Sequence, residues 1–229
     1  MVSPAENYRI IREEVAETAR KCGRNPAEVE IVLVTKTVSA DAVRQVAEVG
    51  ARMVGENRVQ EAQKKRALLS DLPLEWHLIG HLQTNKVKPA IELFSLIHSV
   101  DRLALAEALS GEAMKVGKVQ EVLVQVNVSG EESKFGLPYD GALERIREIS
   151  QFPGIRVKGL MTIAPYGPKE GARIHFRRLR ELFEEAKSLP RVEMSVLSMG
   201  MTNDYAVAIE EGATLLRIGT AIFGERSML

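Results

Sequence analysis

A chain of 229 residues suits one large domain or two small ones, and 45% hydrophobic with 27% charged residues is the balance of a protein that buries a core. Lysine plus arginine and aspartate plus glutamate both total 31, so the formal net charge is zero, and no basic field exists to hold nucleic acid or an anionic membrane by bulk electrostatics. The single cysteine, Cys22, excludes an intrachain disulfide and a multi-cysteine metal site; with no signal core and no apolar run of spanning length, a cytoplasmic location is expected.

Ser3-Pro4 followed by Ala5-Glu6 reads as a capped helix start. Tyr8, Ile11, Val15 and Ala19 then keep helical spacing to Cys22, and Gly23 can end the helix. The β-branched run Ile31-Val32-Leu33-Val34-Thr35-Lys36 predicts a first strand over 30–36, buried on both faces. Lys36 shares its parity with Val32 and Val34, which would point all three to one side. A lysine closing such a strand either escapes to solvent or is placed for chemistry. Ser39 is expected to cap a helix through Val49, closed by Gly50, and 52–55 forms a second strand leading into Glu56-Asn57. A charged helix follows over about 58–69, then a strand at 75–79, a helix at 83–92 and a strand at 96–100. Asp101 is expected to cap a helix over about 102–116. Val122, Val124, Val126 and Val128 alternate against Leu123, Gln125 and Asn127 in the clearest strand of the chain. After a polar loop at 129–138 come a helix (about 139–151), a strand (156–163), a helix (about 169–187), a strand (194–198), a short helix (203–211) and a last strand (214–218).

Eight strands alternating with helices imply parallel strands joined by right-handed crossovers. In this length they most naturally close into a single (β/α)8 TIM barrel spanning residues 1–229, with one extra N-terminal helix. An open doubly wound sheet is the alternative; it usually carries a glycine-rich fingerprint, and neither GxGxxG nor GxxxxGK[ST] is present.

The active site of such a barrel lies at the C-terminal ends of its strands, with phosphate held by the loops after the last two. Those loops carry Ser198-Met199-Gly200-Met201 and Gly219-Thr220-Ala221. Small residues such as Gly200 and Gly219 let backbone N–H groups approach an anion, while Ser198 and Thr220 add hydroxyls. Thr202 or Asn203 would cap the short helix beside them. The competing reading is two ordinary glycine turns. Arg217, inside Leu215-Leu216-Arg217-Ile218-Gly219, must either pair internally, with Glu56 or another carboxylate, or bind something in the barrel mouth. A lysine, a phosphate nest and a buried arginine together suit pyridoxal 5'-phosphate (PLP), with Lys36 as amine and Arg217 at the ring nitrogen.

Several segments carry a resemblance over nearly the whole chain: Val34-Thr35-Lys36, Gly55-Glu56-Asn57-Arg58-Val59-Gln60-Glu61, and the run from Trp76 to Lys86. Gly159-Leu160-Met161-Thr162-Ile163-Ala164, Leu197-Ser198-Met199-Gly200-Met201 and the run from Arg217 to Gly224 complete it. The sequence resembles the pyridoxal phosphate homeostasis protein family, whose barrel is similar to the N-terminal domain of alanine racemase and other fold-type III enzymes. The resemblance implies Lys36 as the Schiff-base lysine, Arg217 near the ring nitrogen, Asn57 beside the ring, and Ser198, Gly219 and Thr220 at the phosphate. Thr202-Asn203-Asp204 departs mildly from the serine and aspartate of many relatives.

Two functions compete. One is a carrier that holds PLP reversibly and supplies apo-enzymes. The other is a fold-type III amino-acid racemase or decarboxylase. Racemisation needs a base on each face of the substrate; the chain ends a few residues after the eighth strand, without the second domain that supplies the other base in racemases, so a non-catalytic monomer is expected. His77 and His81 straddle a strand end and read as no metal pair, and His98 and His175 read as plain strand-end and helix residues. The run Gln63-Lys64-Lys65-Arg66 reads as a solvated helix face. Lys134 is a candidate to fold over the barrel mouth, and Glu56 to orient Asn57 or Lys36, each against a surface alternative.

Overall fold

The computed structural model describes residues 2–224. Eight parallel strands close into a barrel: β1 (Glu30–Val34), β2 (Met53–Glu56), β3 (Glu75–Leu78), β4 (Leu96–Val100), β5 (Gln120–Asn127), β7 (Ile155–Met161), β8 (Val192–Ser198) and β9 (Leu215–Ile218). β1 pairs with both β2 and β9, and β4 pairs with β5 to complete the ring. The expected parallel barrel is what forms. A two-residue strand, β6 (Leu137–Pro138), adds to β5 beside Val126 in a stretch expected to be loop throughout.

The alternation along each strand divides the core in two. Val32, Leu96, Leu123, Met161 and Leu215, with Met53 and Val196, fill the barrel interior. Leu33, Val54, Val122, Val124, Val126 and Leu216 face outward against the surrounding helices. At β7 the backbone comes so close to β8 that a Cβ on Gly159 would overlap the carbonyl oxygen of Val196, so only glycine fits.

Helices α1 (Pro4–Lys21), α2 (Ala40–Glu48), α3 (Val59–Leu68), α4 (Val87–Leu93), α5 (Leu103–Lys115), α6 (Ala142–Ser150), α7 (Arg173–Ala186) and α8 (Tyr205–Glu210) cover the barrel. The caps of α1 and α2 form as expected. Ser3 Oγ accepts from Glu6 N and Ser39 Oγ from Ala42 N, each at 3.2 Å. Tyr8, Ile11, Val15 and Ala19 are the buried stripe of α1. Two expected caps do not form. Arg102, not Asp101, holds the N-cap position of α5, and the Asp101 carboxylate instead accepts from Arg102 Nη1 at 2.5 Å and lies 3.1 Å from His81 Nδ1. Asp204, not Thr202 or Asn203, precedes α8, with its carboxylate turned back to Met201 N at 2.6 Å. A one-turn helix, α9 (Thr220–Phe223), follows the last strand where none was expected. No helix among the described residues is long and apolar enough to cross a membrane.

Candidate functional site

The C-terminal ends of the strands gather the residues that sequence reasoning singled out. β1 stops at Val34, two residues before the expected end, so the period-two rule no longer fixes Lys36. Lys36 lies in a tight turn, half-buried, and is followed by Thr37 at φ +64, a left-handed conformation uncommon for threonine. What holds this turn is a buried clamp beneath it. Thr35 N donates to Gly55 O at 3.0 Å, tying the turn to β2. Lys65 Nζ, from α3, donates to Thr35 O and to Glu56 Oε1, each at 2.5 Å, and Thr35 Oγ1 donates to the same carboxylate oxygen at 2.6 Å.

Three sequence readings are corrected by this clamp. Glu56 is fully buried, which removes the surface alternative, and it pairs with Lys65 instead of Arg217. Lys65 is only 9% exposed and is no part of a solvated face. Its long stem reaches inward from α3 because the carboxylate at the end of β2 would otherwise stand buried without a counter-charge. Asn57 follows Glu56, half-buried at the rim. Gly80 packs directly against it, since a Cβ at Gly80 would overlap the Asn57 backbone.

Arg217 sits inside the barrel, 4% exposed. Its Nη1 donates to Ser198 Oγ at 2.6 Å and its Nη2 to the Thr162 carbonyl at 2.7 Å. Burial lowers its pKa to about 10, partly opposed by Asp204, so the guanidinium stays cationic at neutral pH. Two of its five N–H groups are used by these bonds, leaving donors for an acceptor placed above. No carboxylate hydrogen-bonds it among the described residues.

The Ser198 hydroxyl is turned into the barrel, where it meets Arg217 and, at 3.1 Å, His98 Nδ1. His98 Nε2 lies 3.2 Å from His77 Nδ1. Sequence reasoning missed this pair by reading His98 as a strand-end residue. Its shared parity with inward-facing Leu96 on β4 was the available signal.

The two glycine turns meet at the rim. Thr202 Oγ1 accepts from Ala221 N at 3.3 Å, bridging the loop after β8 to the start of α9. Gly200 adopts φ +92, its carbonyl accepts from Arg217 N at 3.0 Å, and a Cβ there would come within 2.5 Å of Ala208 Cβ. Gly219 packs against Val34, whose carbonyl oxygen would lie 3.2 Å from an added Cβ. Close packing therefore accounts for both glycines, which gives weight to the ordinary-turn reading. The bridging Thr202 hydroxyl and exposed Thr220 are what the rim offers to an anion. Thr202 entered the sequence reading as a helix cap and as part of a mild departure from the family pattern, not as an anion ligand.

Across the mouth, the loop after β5 folds back toward the rim. Phe135 stacks on His81 with ring centroids 4.0 Å apart. Lys134 Nζ pairs with Glu131 Oε2 at 2.6 Å and reaches Ile163 O at 3.4 Å. A cavity of about 410 Å³ lined by Asn57, Gly80, His81 and Lys86, among others, opens on this side.

A closed parallel barrel with a lysine just past its first strand and a buried arginine in its last is a (β/α)8 barrel whose C-terminal mouth is the candidate ligand site. The chain belongs to the alanine racemase N-terminal domain family, whose model matches residues 7–227, and within it to the pyridoxal phosphate homeostasis proteins. It is 43% identical over 226 residues to the pyridoxal phosphate homeostasis protein of Aquifex aeolicus, covering 98% of this chain and 99% of that one. The protein of that name from Pseudomonas aeruginosa is likewise 43% identical, over 227 residues, covering 99% and 97%. Among solved structures, PipY of Synechococcus elongatus PCC7942 with PLP bound superposes with a TM-score of 0.81 at 38% identity, covering 92% of this chain and all of that one.

Proposed function

We propose that this protein binds PLP at the barrel mouth and serves intracellular PLP homeostasis, holding the cofactor on Lys36 and supplying it to apo-enzymes. The observation that carries this is Arg217, a buried cation that no carboxylate among the described residues hydrogen-bonds, with unused donors, in the last strand. Beside it run the turn of Lys36 and the Thr202–Ala221 junction. The residues fit the group: an amine for its aldehyde, a guanidinium for its ring nitrogen, and hydroxyl and backbone donors for its phosphate. When bound, PLP supplies an aldehyde that condenses with the lysine amine as a Schiff base, releasing water. The names of the relatives and the PLP bound in PipY support the reading.

Asn57 lines the pocket beside the ring. Gly219 and Thr220 sit at the phosphate with Gly200 behind them, and Ser198 acts through Arg217. Arginine keeps its proton, so Arg217 would donate to an unprotonated pyridine nitrogen, which would leave the ring a weaker electron sink than a carboxylate partner would. The names of the relatives support a carrier over an amino-acid racemase or decarboxylase. Residues 1–229 work as one cytoplasmic, monomeric PLP-binding barrel.

The test is an absorbance titration with PLP beside Lys36→Ala, with borohydride trapping and peptide mapping. A trapped adduct on Lys36, lost in the variant, is expected; an adduct on another residue would overturn the assignment. Incubating the loaded protein with L-alanine in D2O separates the alternatives, because α-deuteration with turnover belongs to an enzyme.

A further inference from the structure

Beneath the mouth, a line of polar groups crosses the barrel interior from floor to rim. Glu75 Oε2 lies 3.8 Å from His77 Nε2; His77 Nδ1 lies 3.2 Å from His98 Nε2; His98 Nδ1 lies 3.1 Å from Ser198 Oγ; and Ser198 Oγ accepts from Arg217 Nη1 at 2.6 Å. His77 and Arg217 are each 4% exposed, and His98 and Ser198 are fully buried. Such groups cannot leave a proton unplaced without cost, so the order of donors along the line is open to deduction.

A guanidinium can only donate, so Ser198 Oγ must accept from Arg217. The serine has one proton of its own, and His98 Nδ1 is the other partner within reach. If His98 carried its proton on Nδ1, the Ser198 hydroxyl would accept twice and its own proton would be buried without an acceptor. The same tautomer would make His98 Nε2 accept from His77 Nδ1. That would strip the proton from His77 Nε2 and turn its lone pair toward the Glu75 carboxylate. The opposite arrangement gives Ser198, His98 and His77 Nδ1 partners within 3.2 Å and leaves only His77 Nε2–H at the longer 3.8 Å from Glu75. Ser198 donates to His98 Nδ1, His98 Nε2–H donates to His77 Nδ1, and His77 Nε2–H faces Glu75.

We propose that His98 and His77 are positioning residues for Arg217, acting as neutral Nε2–H imidazoles in a one-way hydrogen-bond chain through Ser198. This rests on the PLP reading for its purpose, since Arg217 is the group offered to the ring nitrogen. Each dipole in the chain presents its negative end toward the guanidinium and its positive end toward Glu75, so the line stabilises a buried cation hydrogen-bonded to no carboxylate. It also fixes which edge of the guanidinium is consumed by the barrel and which remains for ligand. Desolvation, reinforced by His77 and Arg217, pushes the His98 pKa well below its ordinary value, in keeping with a neutral ring. The lower end opens into a cavity of about 600 Å³ lined by Glu28, Glu30, Glu75, His77 and Glu121, among others. Those carboxylates, with His77, Arg217 and Asp204 around the chain, are the charged groups that bear on it.

The first arm of the test needs no cofactor. Two-bond 1H–15N correlation spectra of the ligand-free, histidine-labelled protein at neutral pH should show both rings neutral and protonated at Nε2. A proton on His98 Nδ1, alone or with Nε2, overturns the chain. The second arm is PLP titration. His98→Leu should weaken retention about tenfold, the loss of one hydrogen bond to a charged network, and shift the visible band of the bound cofactor. His98→Asn, whose amide oxygen can stand where Nδ1 stands, should restore both. Equal loss in the two variants, or unchanged retention in a folded leucine variant, overturns the positioning role. Should the leucine variant fail to fold, Ser198→Ala cuts the same chain and should weaken retention alike, unchanged retention again overturning the role. A wild type that takes up no PLP overturns the function proposed above, while the spectra still decide the chain.

Discussion

Lys65→Met isolates the clamp beneath Lys36. The substitution keeps an unbranched apolar stem of similar length and removes only the ammonium, which donates at 2.5 Å to Glu56 Oε1 and at 2.5 Å to Thr35 O. Glu56 is fully buried and its second oxygen, Oε2, has no hydrogen-bond partner among the described residues, so Lys65 is its counter-charge. Removing one member of such a pair leaves an uncompensated buried charge, and the expected loss is about 3–5 kcal/mol. Glu56→Gln also unpairs a charge, but the Lys65 ammonium keeps its bond to the Thr35 carbonyl and, on a flexible stem that is 10% exposed, can turn toward water, so a smaller loss of about 1–3 kcal/mol is expected there. Urea unfolding gives both values, and a drop in Tm of roughly 6–20 °C should accompany the larger one. The double variant should lose less than the sum of the singles, because once the charge is gone its partner is no longer missed. A Lys65→Met loss below about 1 kcal/mol, or a Glu56→Gln loss as large as that of Lys65→Met, would refute this account of the clamp.

Gly159→Ala places a Cβ onto the Val196 carbonyl at φ +155, and about 3 kcal/mol or more of destabilisation is expected by denaturant unfolding, since the neighbour is backbone and cannot yield. Acid should cost stability through His98. Its folded pKa is depressed below the ordinary 6.5, so on acidification the unfolded chain takes up a proton that the folded one refuses. That contribution is fully present above about pH 6.5 and falls by about 1.4 kcal/mol per pH unit below it, until the folded pKa is reached. His98→Asn should flatten the slope between about pH 6.5 and 5 in urea unfolding, above the range where carboxylates titrate.

The barrel was legible because its strands carry unambiguous runs. Val122 to Val128 and Leu215 to Ile218 admit little besides buried parallel strands, and the crossover rules then leave one closure. Candidate site residues stood out where a side chain broke an apolar pattern, as Lys36 and Arg217 do. What stayed hidden was pairing between elements distant in sequence. Nothing local says that Lys65 turns inward to Glu56, or that His77, His98 and Ser198 align across three strands. Those contacts depend on barrel stagger, which single-strand periodicity does not encode. Caps failed for a related reason. Asp101 had the right chemistry for a helix start, but its carboxylate was claimed by Arg102; Thr202 and Asn203 fall short of α8, whose N-cap position goes to Asp204 with its carboxylate turned back to Met201 N.

The closure of β1 against β9 bears on how the molecule is made. From the moment β1 emerges during synthesis, one of its edges waits for Leu215–Ile218, nearly the whole chain later. α1 is in the same position: Asn7 Nδ2 donates to Ile222 O at 3.0 Å, and Tyr205 Oη donates to Glu14 Oε2 at 2.6 Å. A growing chain therefore holds an open, apolar strand edge until its last tenth is delivered, and a ribosome stalled before that point presents a sticky half-barrel to the cell. The same late seam sets Val34, just before the Lys36 turn, against Gly219, so this side of the barrel mouth is complete only once the last strand has docked.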